Sequence, residues 1–169
     1  MYLLLLPDRN QTTVPRKGAE VAEITEKNMR DVLEVRKALE ELAVQLACEK
    51  ITEEEIEEMK KAAEDFKKIL KSKDITEIAE ADVRFHDIIY MATDNQKLIQ
   101  LLNNLREQMY RYRVEYLKRE EAHPQLIAEH AAIIEHISKG EKKAATDIMC
   151  KHIDNQVTTV IDVIRTKQS

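Results

Sequence analysis

The sequence predicts an all-α protein in which six helices pack as an antiparallel bundle. Composition is the first reason: the 169 residues include 2 glycines, 3 prolines and no tryptophan, while strong helix formers are abundant. Spacing is the second reason, because apolar residues recur every three or four positions from Thr25 onward. The connections between these periodic segments are short, which favours antiparallel neighbours. A chain of this length can form one domain with a sizeable core.

The first two predicted helices follow each other closely. The first spans about 26–49, and Thr52 caps the second, with Glu55 three residues later at the spacing of a capping box. The residues predicted to face inward are Met29, Val32, Val35, Leu39, Leu42, Ala43 and Leu46 in the first helix and Ile56, Met59, Ala63, Phe66 and Leu70 in the second.

The next two helices begin at residues that commonly cap helices. Asp74, with Glu77 three residues later, marks the start of the third, and Asp94-Asn95 opens a long fourth helix. The apolar stripe of the fourth consists of Leu98, Leu102, Leu105, Met109, Tyr112 and Tyr116.

Proline and glycine delimit the fifth helix. Pro124 occupies its first turn and Gly140 is its predicted C-cap, after which the last helix runs from about 142 to 165. Residues 1–24 differ, since they contain two of the three prolines, and the stretch 12–21 predicts a strand, a turn and a second strand. We therefore expect an N-terminal segment, 1–24, followed by a helical domain, 25–169.

The charge balance and the cysteine content restrict the class of protein. The net charge of −5 and the pI of about 5.6 do not suit a DNA-binding surface. No apolar run approaches the length of a membrane span, and the start Met1–Pro7 is too short for a signal peptide and lacks its basic flank. Two distant cysteines fit a reduced compartment. We expect a soluble, cytoplasmic protein without a membrane partner.

Four residues on predicted core stripes form the candidate site. Asp82 and His86 lie one helical turn apart on the face marked by Ile78, Phe85 and Ile89, and His130 and His152 lie on the stripes of their own helices. Lone polar groups are costly in a core, so the convergence of one carboxylate and three imidazoles indicates a metal site. These ligands suit Zn, Ni, Fe or Mn. A closed tetrahedron would be structural, whereas open positions would admit a ligand.

Two further histidines and two arginines lie outside this set. His123 lies in a predicted connection and His136 on a polar face, so neither joins the site. Arg36 faces inward, either as a boundary residue with a buried stem or as a fork for a carboxylate. Arg113 is a weaker candidate for the same role. A metal and an arginine in one cavity would form a pocket for a small organic acid.

Two simpler or different interpretations remain for the same residues. Each histidine on an apolar stripe could be a satisfied core residue with no ligand. The His86-Asp87 pair resembles the HD phosphohydrolases, but no histidine precedes it and Asp87 faces away from the stripe. We recognise no further interior acid or base in the sequence, which counts against a hydrolase.

Several segments together resemble the ligand-sensing C-terminal domain of GntR-type transcription regulators of the FadR subfamily, the FCD domain. The resemblance covers nearly the whole chain after Thr25. The segments that carry it are Val35-Arg36-Lys37-Ala38-Leu39-Glu40, the Asp-x-x-x-His element of Asp82 and His86 with Asn95 after it, Glu129-His130 with Ile133, and Gly140-Glu141 through Ala145 to His152.

The resemblance implies a bundle of six or seven helices and a role in transcription regulation. It implies that Asp82, His86, His130 and His152 bind a divalent metal, with zinc the first choice. It further implies that Arg36 assists a small carboxylate effector and that the domain forms a homodimer. These regulators carry a winged helix-turn-helix before this domain. Here only residues 14–25 resemble the last strands of the wing, and 1–13 match nothing in the family.

Three functions follow as hypotheses. The leading one is a metal-dependent, effector-sensing and dimerisation domain of a regulator that reaches DNA only through a winged-helix domain outside this chain, and that is not an enzyme. The second is a helical metallohydrolase that uses the same four ligands. The third is an interaction bundle whose closed metal site only stabilises the fold.

Overall fold

The computed structural model describes residues 11–14, 18–21 and 25–167. Six long helices dominate them, as the sequence predicts. Strand β1 pairs antiparallel with β2, in register from Gln11 opposite Val21 to Val14 opposite Gly18; the predicted turn between them lies outside the described residues. The bounds are β1 Gln11–Val14, β2 Gly18–Val21, α1 Glu26–Lys50, α2 Glu53–Ile69, α3 Ile75–Ala92, α4 Gln96–Leu117, α5 His123–Ser138 and α6 Lys142–Lys167, with a single 3-10 turn at Glu120–Ala122.

The predicted helix boundaries are confirmed by their caps. Thr52 and Glu55 form the capping box, in which the Glu55 amide donates to Thr52 Oγ1 at 3.2 Å and the Thr52 amide donates to Glu55 Oε2 at 2.8 Å. Asp74 and Asn95 accept from the first-turn amides of α3 and α4. Gly140 follows α5 with a φ of +67°, a left-handed conformation that favours glycine.

The helices pack so that α1, α3, α5 and α6 enclose the centre of the bundle. Helix α1 packs against α6, α4 and α3, while α2 covers α3 and α5, and α5 lies against α6. The fully buried apolar side chains of the core include Met29, Phe66, Phe85, Ile89, Leu126 and Ile133. In the described parts of the chain, no helix has the length and apolar character needed to cross a membrane.

The orientation of α1 differs from the prediction in one respect. Val35 and Leu42 were expected to face inward, but their exposed fractions are 52% and 43%. The buried arc of α1 is centred instead on Met29, Arg36 and Ala43. The cause is that a charged side chain, Arg36, occupies the interior face, which turns part of the apolar stripe toward solvent.

Candidate metal centre

Three imidazoles from three helices meet at the centre of the bundle. His86 on α3, His130 on α5 and His152 on α6 are each at most 1% exposed. Each offers a ring nitrogen, and these nitrogens all lie within 4.8 Å of one another. Nε2 of His86 and Nε2 of His152 are 3.3 Å apart. This spacing lets one cation contact all three rings.

Asp82 lies beside these rings, one turn before His86. Its Oδ1 is 3.2 Å from Nε2 of His130, and its Oδ2 is 3.9 Å from Nε2 of His86. The guanidinium of Arg113 approaches from α4, with Nε at 2.5 Å from Oδ2. Burial alone would raise the pKa of Asp82, but the Arg113 charge and the histidines hold that pKa well below its usual range. The carboxylate is therefore ionised and available as a ligand.

Several polar atoms of this cluster have no hydrogen-bond partner. They include both carboxylate oxygens of Asp82, both ring nitrogens of His130 and Nδ1 of His86. Arg113 is close to Asp82, but its Nε lacks the alignment of a hydrogen bond and joins it only as an ion pair. Each buried polar atom left unpaired costs roughly 1–3 kcal/mol. A divalent cation among these atoms would satisfy them, so the residues present fit a metal.

Burial also sets the protonation of the rings. It lowers the pKa of His86 to about 4, a shift that Glu40 and Asp82 only partly oppose. The pKa of His130 is lowered as well, again because burial disfavours the imidazolium. Neutral imidazoles keep a lone pair for a cation. Phe85 stacks on the His130 ring, with centroids 4.0 Å apart and planes inclined by 17°, and fixes its orientation.

Glu129 orients the third imidazole. Its Oε2 accepts from Nδ1 of His152 at 2.8 Å, and its Oε1 accepts from Gln125 Nε2 at 2.9 Å and from Asn155 Nδ2 at 2.5 Å. A carboxylate at Nδ1 places the ring proton there and leaves Nε2 as the acceptor. The side-chain amide of Gln156 donates to that Nε2 at 3.0 Å, consistent with this tautomer.

A second buried network begins at Arg36, which is 1% exposed. Its Nε donates to Glu40 Oε1 at 3.0 Å and its Nη1 donates to Gln156 Oε1 at 2.7 Å, while its Nη2 has no hydrogen-bond partner. Tyr90 donates to the same Glu40 oxygen at 2.5 Å. Glu40 Oε2 faces Nδ1 of His86 at 3.7 Å. Arg36 thus lies near the histidine cluster with one donor unused.

The interior contains acids that the sequence analysis missed. Glu40 and Glu129 are 0% and 4% exposed, so the expectation of no further interior acid is wrong. The sequence did indicate that Glu40 faces inward, since it lies one turn after the inward-facing Arg36. The spacing also indicated that Glu129 faces inward, since it lies three residues after Leu126 and four before Ile133, both of which are buried. The two excluded histidines lie elsewhere: His123 Nε2 donates to the Leu117 carbonyl at 2.8 Å, and His136 pairs with Glu141.

A small crevice lies between α3 and α4, beside the cluster. Its volume is ≈ 10 Å³, and it reaches His86 and Arg113. It shares Val83 and Arg106 with an open surface groove of ≈ 820 Å³. Arg106, which lines both the crevice and the groove, donates to both oxygens of Asp87, at 3.1 and 2.7 Å.

Comparison with known proteins connects the fold to a family. Residues 31–155 match the FCD domain family. The chain is 26% identical over 141 residues to the HTH-type transcriptional regulator YdhC of Bacillus subtilis. The matched region covers 83% of this chain and 63% of YdhC. It is 24% identical over 171 residues to the gluconate operon transcriptional repressor of the same organism, covering 98% of this chain and 70% of the relative. The chain thus spans just under two thirds of YdhC.

Solved structures share the fold. McbR/YncC from E. coli superposes with a TM-score of 0.82 at 16% identity, over 91% of this chain and 78% of that one. A GntR-family transcriptional regulator from Pseudomonas syringae pv. tomato superposes with a TM-score of 0.66 at 17% identity, over 94% of this chain and 66% of that one.

Proposed function

The chain belongs to the FCD domain family, and on that premise we propose that it is the effector-sensing and dimerisation domain of a cytoplasmic GntR-type transcription regulator. Its relatives are transcription regulators, which supports a regulatory role. A divalent metal would be held by Asp82, His86, His130 and His152. The observation that carries this proposal is the set of polar atoms on Asp82 and His130 that have no hydrogen-bond partner, buried where three helices converge.

Zinc is the first choice among the metals, with nickel, manganese or iron as alternatives. One carboxylate with three imidazoles is a donor set that these borderline cations accept. When bound, such a cation would supply coordination positions for a small organic carboxylate. Arg36 would donate to an oxygen of the same carboxylate through Nη2, which has no hydrogen-bond partner in the bundle. Arg113 would contribute positive charge, although its Nε already lies against Asp82.

The effector would act by selecting one arrangement of the helices. A ligand shifts a conformational equilibrium only if it binds one state better than the other. Asp82, His130 and His152 come from three helices and Arg36 from a fourth, so a carboxylate bridging them would favour one relative placement of α1, α3, α5 and α6. In a homodimer, that placement would set the positions of two winged-helix DNA-binding domains outside this chain.

Elemental mass spectrometry of the purified protein tests the metal assignment. We expect about one divalent metal per chain in the wild type and almost none in His152→Ala. His136→Ala is the matched control, since this half-exposed histidine lies outside the cluster, and it should keep its metal. Equal metal content in wild type and His152→Ala, or none in either after incubation with zinc, nickel and manganese, would contradict the assignment.

Thermal shift then tests the effector. When the site is saturated with metal, small organic carboxylates should raise the melting temperature of the wild type. The rise should be smaller in Arg36→Lys, which keeps the positive charge but loses the bidentate guanidinium. If removing the metal lowers the melting temperature while none of a broad carboxylate panel raises it, the site is structural only.

The buried acids make the hydrolase the second candidate. Glu40 and Glu129 are interior carboxylates near the cluster, as a general base would be. Both, however, are committed to hydrogen bonds with Arg36 and His152. Turnover of an ester and phosphoester panel that disappears in Asp82→Ala would favour the enzyme over the sensor.

A further inference from the structure

Gln156 joins the two buried networks of the bundle. It lies on α6, one turn after His152, and is 4% exposed. Its Oε1 accepts from Nη1 of Arg36 at 2.7 Å, and its Nε2 donates to Nε2 of His152 at 3.0 Å. A guanidinium can only donate, so the bond from Arg36 fixes the amide oxygen toward α1 and the amide nitrogen toward the imidazole.

The bond to His152 uses the ring atom that the metal proposal requires. A neutral imidazole has one N–H and one lone pair, and Glu129 accepts the proton of His152 at Nδ1. The lone pair therefore lies on Nε2, where Gln156 donates to it. The same Nε2 is 3.3 Å from Nε2 of His86. Because one lone pair cannot serve both a cation and an N–H donor, coordination by His152 would release the amide of Gln156.

The released amide would remain beside an unused donor of Arg36. Its oxygen can keep the bond to Nη1, since that bond does not involve His152. Nη2 of Arg36 has no hydrogen-bond partner. The amide nitrogen of Gln156 and this Nη2 can only donate, so a ligand that satisfies both must bring acceptors alone. The two oxygens of a carboxylate meet that requirement.

We propose that Gln156 is an effector-binding residue that becomes available only when His152 coordinates a metal. Without a metal, its amide caps Nε2 of His152; with that nitrogen coordinated, the amide donates to the effector carboxylate next to Arg36. The inference rests on the proposed function and gives it an order, in which metal loading prepares the carboxylate site. Coupling between two ligands is reciprocal, so the carboxylate in turn tightens metal binding.

Gln156→Leu tests the first step through zinc affinity, measured by competition with a chelator. The variant leaves Nε2 of His152 without a donor only in the metal-free protein, whereas Arg36 loses its acceptor with or without zinc. Only the first loss changes the affinity. Zinc should bind about tenfold more tightly, the equivalent of ~1.4 kcal/mol, which is near the lower end of the cost of an unpaired buried group. Equal or weaker binding would overturn the proposal.

Asn155→Leu is the matched control. Asn155 precedes Gln156 on α6, but its Nδ2 donates to Oε1 of Glu129 and not to the imidazole. It therefore supports the carboxylate that orients His152, and its loss should weaken zinc binding. The two neighbouring amides thus have opposite expected effects. A gain of affinity in both variants would mean that added apolar bulk tightens the site, and it would overturn the role of Gln156.

The second step is tested by the same titration in the presence of a carboxylate. The probes are propionate, benzoate and succinate, each compared with its primary amide at balanced ionic strength. At least one carboxylate, and none of the amides, should tighten zinc binding to the wild type several-fold, and Gln156→Leu should lose most of this gain. No gain in the wild type, or an undiminished gain in Gln156→Leu, would overturn the proposal.

Gln156→Glu is a second variant that keeps an acceptor for Arg36 and so preserves that buried contact. It places a carboxylate of the chain itself where the effector carboxylate would lie. Zinc should bind at least as tightly as in Gln156→Leu, and the probes should have no further effect. A zinc affinity below that of the wild type, or a full response to the probes, would overturn the proposal. Circular dichroism checks that every variant keeps its helices.

The side-chain amide of Gln156 can also be observed directly by nuclear magnetic resonance. Its signal in a ¹⁵N correlation spectrum is identified by its absence from the spectrum of Gln156→Leu. The signal should shift when zinc is added and shift again with the carboxylate. A wild type that binds no zinc contradicts the metal assignment of the proposed function. Bound zinc with an unchanged Gln156 signal overturns this inference alone.

Discussion

Replacing Glu129 by glutamine probes how the protein holds its third imidazole. The carboxylate accepts from three donors, on Gln125, His152 and Asn155. A glutamine at 129 keeps one acceptor oxygen and brings an amide that must face at least one of those donors. Either the His152 ring loses the partner that fixes its tautomer, or the two amide donors lose theirs.

The size of the effect follows from these contacts. The hydrogen bond from His152 Nδ1 is 2.8 Å long and involves a carboxylate that is 4% exposed. The pKa of Glu129 is lowered although burial acts to raise it, chiefly because His152 donates to it. Removing a partner that orients a metal-binding histidine typically costs about 10–100-fold in metal affinity. The unpaired donor should cost the metal-free fold a further ~1–3 kcal/mol.

Competition with a zinc chelator measures the affinity directly. The metal-free protein is titrated with zinc in the presence of a chromogenic chelator, for wild type, Glu129→Gln and the matched control Glu135→Gln. Glu135 lies on the same helix and pairs with exposed Lys139, so its variant should bind as the wild type does. The reasoning is refuted if Glu129→Gln binds zinc as tightly as the wild type while His152→Ala does not bind it.

Two further predictions concern protonation and access. The pKa of folded His86 is about 4, because burial lowers it from 6.5. As the pH falls below 6.5 the unfolded chain gains the proton first, so the contribution of His86 to the free energy of unfolding of the metal-free protein should drop by about 3 kcal/mol by pH 4. Urea unfolding measures this; His136→Ala should keep the slope, and an equally steep profile in His86→Asn would contradict it. Removing the ion pair over the crevice with Arg106→Ala should speed zinc loss to a chelator about fivefold, since such a pair is worth about 1 kcal/mol. Arg84→Ala, in the same groove, should not change that rate, and equal rates in all three proteins would show that the metal leaves by another route.

The helices were predictable because their signals are local. Thr52 and Asp74 cap the helices that the sequence assigns to them, and Gly140 adopts the positive φ expected of it. Each of these depends on residues within one turn, so no knowledge of the neighbouring helices is needed. The burial of Asp82 and the three histidines was predictable for a related reason, since each lies in register with apolar residues of its own helix.

The remainder of the site depends on contacts between helices. Glu129 shares a face with buried Leu126 and Ile133, but its partners His152 and Asn155 come from α6, and nothing near Glu129 in the sequence encodes that approach. Arg113 was predicted to bind an effector, but its pairing with Asp82 depends on how α4 crosses α3. Whether these residues bind metal or effector stays a prediction.

Helix α1 shows why hydrophobic periodicity alone was insufficient. The pattern identifies apolar positions but does not say whether an apolar face meets the chain's own core or another surface. In α1 the interior side carries Arg36 and Glu40, both at most 1% exposed, while Val35 and Leu42 face outward. Burying that ion pair is expensive unless further hydrogen bonds satisfy it, and leaving valine and leucine in water forgoes the stabilisation that their burial would supply. The buried ion pair has a physical explanation if the inner side of α1 recognises a ligand, and the exposed apolar residues have one if its outer side contacts a partner. The inverted polarity of this helix therefore supports both the sensing and the dimerisation proposals.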